Sequence, residues 1–138
     1  MMREMKIQQA KDLHERGHNC AQSVALPFCE DLGMDAKSAM RALEGFGAGM
    51  GGRDQTCGAL SGAIFVAGLR HSDGNLWAPA SKQRTYAVCK GLCDEFTAAC
   101  GGTARCATIK GEDGGTARLS CPDCIELGVK LALKALSE

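Results

Sequence analysis

"GFGAGMGGRDQTCGALSGA", residues 45–63, decides how this chain is read. Five of its first eight residues are glycine, and the run then presents Cys57. Gly47, Gly49 and Gly52 satisfy G-x-G-x-x-G, the dinucleotide-binding fingerprint. That fingerprint works only between a strand and a helix of a βαβ unit, where the helix start takes a pyrophosphate. The segment before it is instead helical, with Ala36, Ala39, Met40 and Leu43 at i, i+3, i+4 and i+7. No Gly-Lys-Ser/Thr follows, so the P-loop reading fails as well. What the glycines supply is positive φ in a tight connection between two helices. Thr56 reads as an N-cap, which puts Cys57 in the first turn of the next helix.

Outward from that loop the apolar pattern stays helical. Ile7, Ala10, the stem of Lys11 and His14 share one face of a first helix ending near Gly17. Asn19 caps a second, with Val24, Ala25 and Phe28 inward and Gly33 beyond its end. The stretch 56–71, "TCGALSGAIFVAGLRH", is apolar almost all round, so 57–69 is expected to be the most buried segment. Gly58 and Gly62, with Ser61 between them, let a neighbouring helix approach closely there. "HSDGN", 71–75, is a turn. Segment 77–99 carries Val88, Leu92, Phe96 and Ala99 as a stripe, and a short helix capped by Thr103 follows. After a polar loop, 120–136 turns Ile125, Val129, Ala132, Leu133 and Leu136 inward. Period-two alternation is absent. The expectation is an all-α, compact single-domain bundle of about five to seven helices spanning residues 1–138.

A chain of 138 residues can bury a core without staples. Sixteen basic residues balance sixteen acidic ones, and no basic footprint of a nucleic-acid or anionic-membrane partner appears. The first twenty residues are charged and helix-period, with no apolar signal core. The longest uncharged apolar stretch, Thr56 to Leu69, falls short of the roughly 20 residues that cross a bilayer. The expected protein is soluble and cytoplasmic, with no membrane insertion. No Ser-His-Asp set, paired carboxylates or phosphate motif argues for hydrolysis.

Nine cysteines are the outstanding feature. An odd number cannot all pair within one chain, and a reducing compartment favours metal or redox chemistry over structural disulfides. Four of them sit at expected helix starts: Cys20 after Asn19, Cys57 after Thr56, Cys106 near Thr103, and Cys121 between Ser120 and Pro122. Unpaired N–H groups and the helix dipole favour the thiolate at such positions. Cys20, Cys57 and Cys121 are therefore expected to be alkylated before Cys89 and Cys93. Cys29, Cys89, Cys93 and Cys100 read as small buried hydrophobes of the core. Cys124 forms C-P-D-C with Cys121, without the βαβ context of a thioredoxin site or a second pair to complete a zinc ribbon. His14 and His18, at i and i+4, either join Cys20 on zinc or simply face solvent.

"GHNCAQSVAL", "GFGAGMGGRDQTCGALSGA", "FTAACGGTARCATIKG" and "SCPDCIELGVKLAL" together resemble the C_GCAxxG_C_C family, named for four signature cysteines and a Cys-Gly-Ala-x-x-Gly core. The core stands here as residues 57–62, and the other signature positions match Cys20, Cys106 and Cys121. The resemblance implies a helical domain whose four cysteines are redox-active or bind a metal centre. A similar module accompanies haem in split-Soret-type cytochromes, where an iron–sulfur centre is associated with it. This chain has no C-x-x-C-H haem attachment motif and carries further cysteines, so Cys124 stands as an additional candidate ligand.

Three functions are then open. Cys20, Cys57, Cys106 and Cys121 hold a [2Fe–2S]-type centre for electron transfer or redox sensing. The same residues cycle as thiols and disulfides without metal. Or they form a zinc module. A redox partner of unidentified kind is expected, and a homodimer is allowed.

Overall fold

A computed structural model describes residues 2–138. Among them stand seven α-helices and no strand. They are α1 (Met2–Glu15), α2 (Cys20–Cys29), α3 (Ala36–Leu43), α4 (Gly58–His71), α5 (Lys82–Ala99), α6 (Cys106–Ile109) and α7 (Cys121–Ser137). Short 3₁₀ turns at Glu30–Leu32 and Glu44–Phe46 extend α2 and α3. The all-α expectation holds.

Local sequence explains several boundaries. Asn19 and Gln22 form a reciprocal capping box at the start of α2, each side chain accepting from the other's backbone N–H. Asp35 caps α3, and Ser120 caps α7 ahead of Pro122. Gly17 and Gly33 follow α1 and the α2 extension at φ of 104° and 87°.

The central helix is α4, packed against α2, α7 and α5, while α1 lies across α7 and α2. Gly58, Ala59, Leu60, Gly62, Ala63, Val66 and Ala67 are all buried. Ser61, Ile64, Phe65, Gly68 and Leu69 are only half-buried, so α2, with 21–25 and 27–29 all buried, is the most buried segment rather than 57–69. Small residues set the helix spacing. A Cβ on Gly62 would lie 2.8 Å from the Ala21 carbonyl oxygen of α2. One on Gly128 of α7 would meet the Ala59 carbonyl oxygen of α4 at the same distance. At the far end, buried His71 shares a 2.8 Å hydrogen bond with the Ala135 carbonyl, tying α4 to α7.

Three boundaries differ from the sequence reading, each because a non-local or side-chain bond outweighs the local signal. Thr56 is not a cap, and Thr103 does not cap α6. Thr56 and Arg105 instead pair as an isolated antiparallel bridge. Cys57 N–H donates to the Ala104 carbonyl and Cys106 N–H to the Gln55 carbonyl, both at 2.8 Å. This pairing holds 104–105 extended until Cys106, so Cys57 becomes the N-cap of α4 and Arg105 that of α6. Helix α5 begins at Lys82 rather than near Trp77, because Asp73 and Asn75 carboxyl and amide oxygens capture the N–H groups of residues 75, 77, 78 and 80. Pro79 disfavours helix at the residue before it as well. Ala36 and Ala99, read as inward, are exposed.

Candidate metal centre

The starts of α2, α4, α6 and α7 converge. Cys20, Cys106 and Cys121 are the first residues of their helices, and Cys57 is the cap of α4. All four line one cavity of about 190 Å³ that also receives His14, Arg53 and Lys110. Residues scattered over a hundred positions of sequence thus share one wall-to-wall space. The imidazole of His14 and the sulfurs of Cys20 and Cys121 lie within 4.8 Å of one another, a group that could hold a metal ion.

The glycine loop closes this cavity. Ala48, Gly49, Met50 and Gly51 all have positive φ, at 53°, 59°, 65° and 87°, making a left-handed turn. For non-glycine residues that conformation costs about 1–2 kcal/mol each, and strain of this kind persists where the surroundings over-determine it. Gly47 and Gly49 are needed for contact as well as conformation. A Cβ on Gly47 would fall 2.3 Å from Cγ of Asn19, and one on Gly49 would fall 2.7 Å from Cβ of Cys106. Asn19 in turn donates from its amide to the Glu44 carbonyl at 2.9 Å. The loop is pressed onto the site.

Electrostatics overturn the expected acidity of three helix-start thiols, Cys20, Cys57 and Cys106. Burial pushes Cys20 up to about 12, and the neighbouring thiols Cys57 and Cys121 add to the rise. Cys57 is raised further still, first by the hydrogen bond it gives to Cys124 and then by burial. Cys106 is raised by burial and by Cys57. Helix starts do favour thiolate. Here several thiols crowd a dry site, and desolvation with mutual repulsion wins. A soft cation relieves that repulsion, since it binds thiolate and displaces the protons.

Lys110, which sequence reasoning left aside, and Cys124, its additional candidate ligand, complete the set. Lys110, just past α6, points its ammonium at Cys124 Sγ, 3.4 Å away. Burial alone would lower its pKa, yet the thiols Cys124, Cys121 and Cys57 outweigh it and raise it. Cys124, fully buried, is lowered by the hydrogen bond from Cys57 and by Lys110. Its position three residues after Cys121 was the signal. A lysine in a polar loop gave none.

The other sulfurs divide as follows. Cys29 and Cys100 are buried in the core, as expected. Cys89 and Cys93 are half-buried and packed against that core from α5. His18 bonds back to the Leu13 carbonyl at 3.0 Å and takes no part in the cavity, whereas His14 does.

Among the described residues no helix is long and apolar enough to cross a membrane. No curated protein and no solved structure matches the chain. The family model described as "Putative redox-active protein (C_GCAxxG_C_C)" matches residues 18–135. That span holds all four signature cysteines and Cys124, and leaves out His14. The chain belongs to the C_GCAxxG_C_C family.

Proposed function

We propose that Cys20, Cys57, Cys106 and Cys121 hold a [2Fe–2S]-type iron–sulfur centre that serves electron transfer or redox sensing. The observation that supports this most is the shared cavity of four helix-start thiols. The donor set fits, because four thiolates are the usual complement of such clusters. Such a centre supplies one-electron uptake and release. The chain's own residues do the rest. Arg53 and Lys110 bring positive charge that offsets the thiolates. Lys110 donates toward Cys124, and backbone N–H groups at the helix starts point their dipoles at sulfur. Hydrogen bonds and positive charge of this kind raise a cluster's potential. The strained loop limits water at the sulfurs. We read the protein as a single cytoplasmic domain that exchanges electrons with a partner protein or small molecule.

The grouping of His14, Cys20 and Cys121 favours a second reading, a mononuclear zinc or similar soft-metal site. A tetrahedral zinc with bonds of about 2.0–2.3 Å spaces its donors roughly 3.5–3.8 Å apart, so small side-chain rotations close the present gap. The proximity of Cys57 and Cys124, which raises one thiol and lowers the other, supports a third, a metal-free thiol–disulfide pair. Anaerobic purification with an absorption spectrum, a metal count and a sulfide count separates them. Visible sulfur-to-iron bands with acid-labile sulfide support the cluster. A colourless protein with stoichiometric zinc replaces it with the second reading. Metal-free protein with titratable disulfides replaces it with the third.

A further inference from the structure

Two features outside the cysteine cavity are unexplained by a single copy of this chain. The first is a second, larger cavity of about 430 Å³ on the other side of the glycine loop, lined by Phe46, Met50, Ile64, Phe65, Cys93 and Thr97 among others. No charged side chain lines it among the described residues. Phe46 and Met50 stand 40% and 44% exposed at its edge, and Met50 does so on a left-handed backbone that costs stability.

The second is the loop between α4 and α5. It exposes Leu76 at 90% and Trp77 at 94%. The loop is nevertheless firmly built. Asp73 accepts from Asn75 and Ala80, Asn75 from Trp77 and Ala78, and Ser81 from Asp73, at 2.9–3.0 Å. A rigid loop that holds an indole in water presents a binding anchor.

We propose that two copies of this chain associate about a two-fold axis through their α4–α5 hairpins, antiparallel, each placing Trp77 and Leu76 in the other's apolar cavity. Loop and cavity lie at opposite ends of one hairpin and on one side of it. Leu76 shares a shallow surface hollow with Thr85 and Tyr86 at the start of α5, while Cys93 and Thr97 line the cavity. Cys93 and Thr97 come seven and eleven residues after Tyr86, close to two and three helical turns of 3.6 residues, so the three share a face. A two-fold contact needs this self-complementarity. A neutral cavity suits an indole, and a charged ligand would find no partner in it. Two anchors and two cavities bury on the order of 1,000 Å², the lower edge of specific interfaces, so the dimer dissociates on dilution. The partner's indole would then buttress the outer face of the loop that closes the cysteine cavity.

Trp77 is the sole tryptophan, so its emission reports the contact directly. The full chain under reducing agent is followed by sedimentation equilibrium and by intrinsic fluorescence from micromolar concentration upward. The expected result is a monomer–dimer equilibrium, with emission moving to shorter wavelength as the dimer forms. Trp77→Ala, at an exposed position, and Thr97→Arg, which puts a charge in the cavity, each weaken association by at least about thirtyfold with unchanged helical circular dichroism. A monomer at every concentration overturns the proposal and leaves a small neutral molecule as the cavity's occupant. A dimer that survives both substitutions overturns it too, by placing the interface elsewhere.

Discussion

Replacing Gly49 by alanine tests the contact between the glycine loop and the cysteine cavity. The added Cβ would lie 2.7 Å from Cβ of Cys106 and 3.0 Å from the Gln55 carbonyl oxygen. Carbon atoms pack at about 3.5–4.0 Å, so Cys106 must retreat by roughly 1 Å. Gly49 also sits at φ +59°, which costs an alanine about 1–2 kcal/mol. Overpacking adds about 1–3 kcal/mol, for a total of about 2–5 kcal/mol. Gly51 provides the control. Its φ is +87° with nothing within 4 Å of an added Cβ, so Gly51→Ala carries the backbone cost alone, about 1–2 kcal/mol. Denaturant unfolding followed at 222 nm measures both variants, and metal content after anaerobic reconstitution measures the site. Gly49→Ala is expected to be the less stable of the two and to lose metal, while Gly51→Ala keeps it. Equal stability of the two variants, with full metal in both, would refute the argument that the loop is seated on Cys106.

In reduced, metal-free protein, timed alkylation read by peptide mass should label half-buried Cys89 and Cys93 before Cys57, which is 1% exposed and raised in pKa. The reverse order would mean that the cavity opens readily. The same protein should lose stability as pH climbs from 9.0 toward about 12, seen as a falling urea midpoint. Below that window Cys20 is protonated whether folded or not, whereas within it the unfolded chain releases a proton the folded one retains. A midpoint that rises there contradicts the raised thiol. Gly62→Ala should destabilise by about 1–3 kcal/mol, because its Cβ meets the Ala21 carbonyl oxygen at 2.8 Å. Gly91→Ala on α5, with nothing within 4 Å, should instead gain about 0.5–1 kcal/mol of helix propensity, checked by the same unfolding curves.

What the sequence determined by itself is what short-range physics controls. The period of apolar residues marks α2, α4 and α7 because one turn of helix repeats within four residues. Asn19 and Ser120 mark helix starts because a cap bonds backbone two or three residues away. The uniform apolarity of 57–69 could be satisfied only at the centre, and the small residues at 58 and 62 announced a close neighbour. The four signature cysteines at helix starts were legible for the same reason. The tertiary structure decided whatever depends on partners distant in the chain. The bridge between Thr56 and Arg105 moved two helix starts, because hydrogen bonds across 49 residues outweighed local capping preferences. His14 was separated from His18 and joined to Cys121 by the packing of α1 on α7. Lys110 entered the site only when the end of α6 came within reach of Cys124 on α7. Thiol acidity changed sign for the same reason: a helix dipole can be read from one segment, but burial and the charge of neighbouring sulfurs exist only once the segments are assembled.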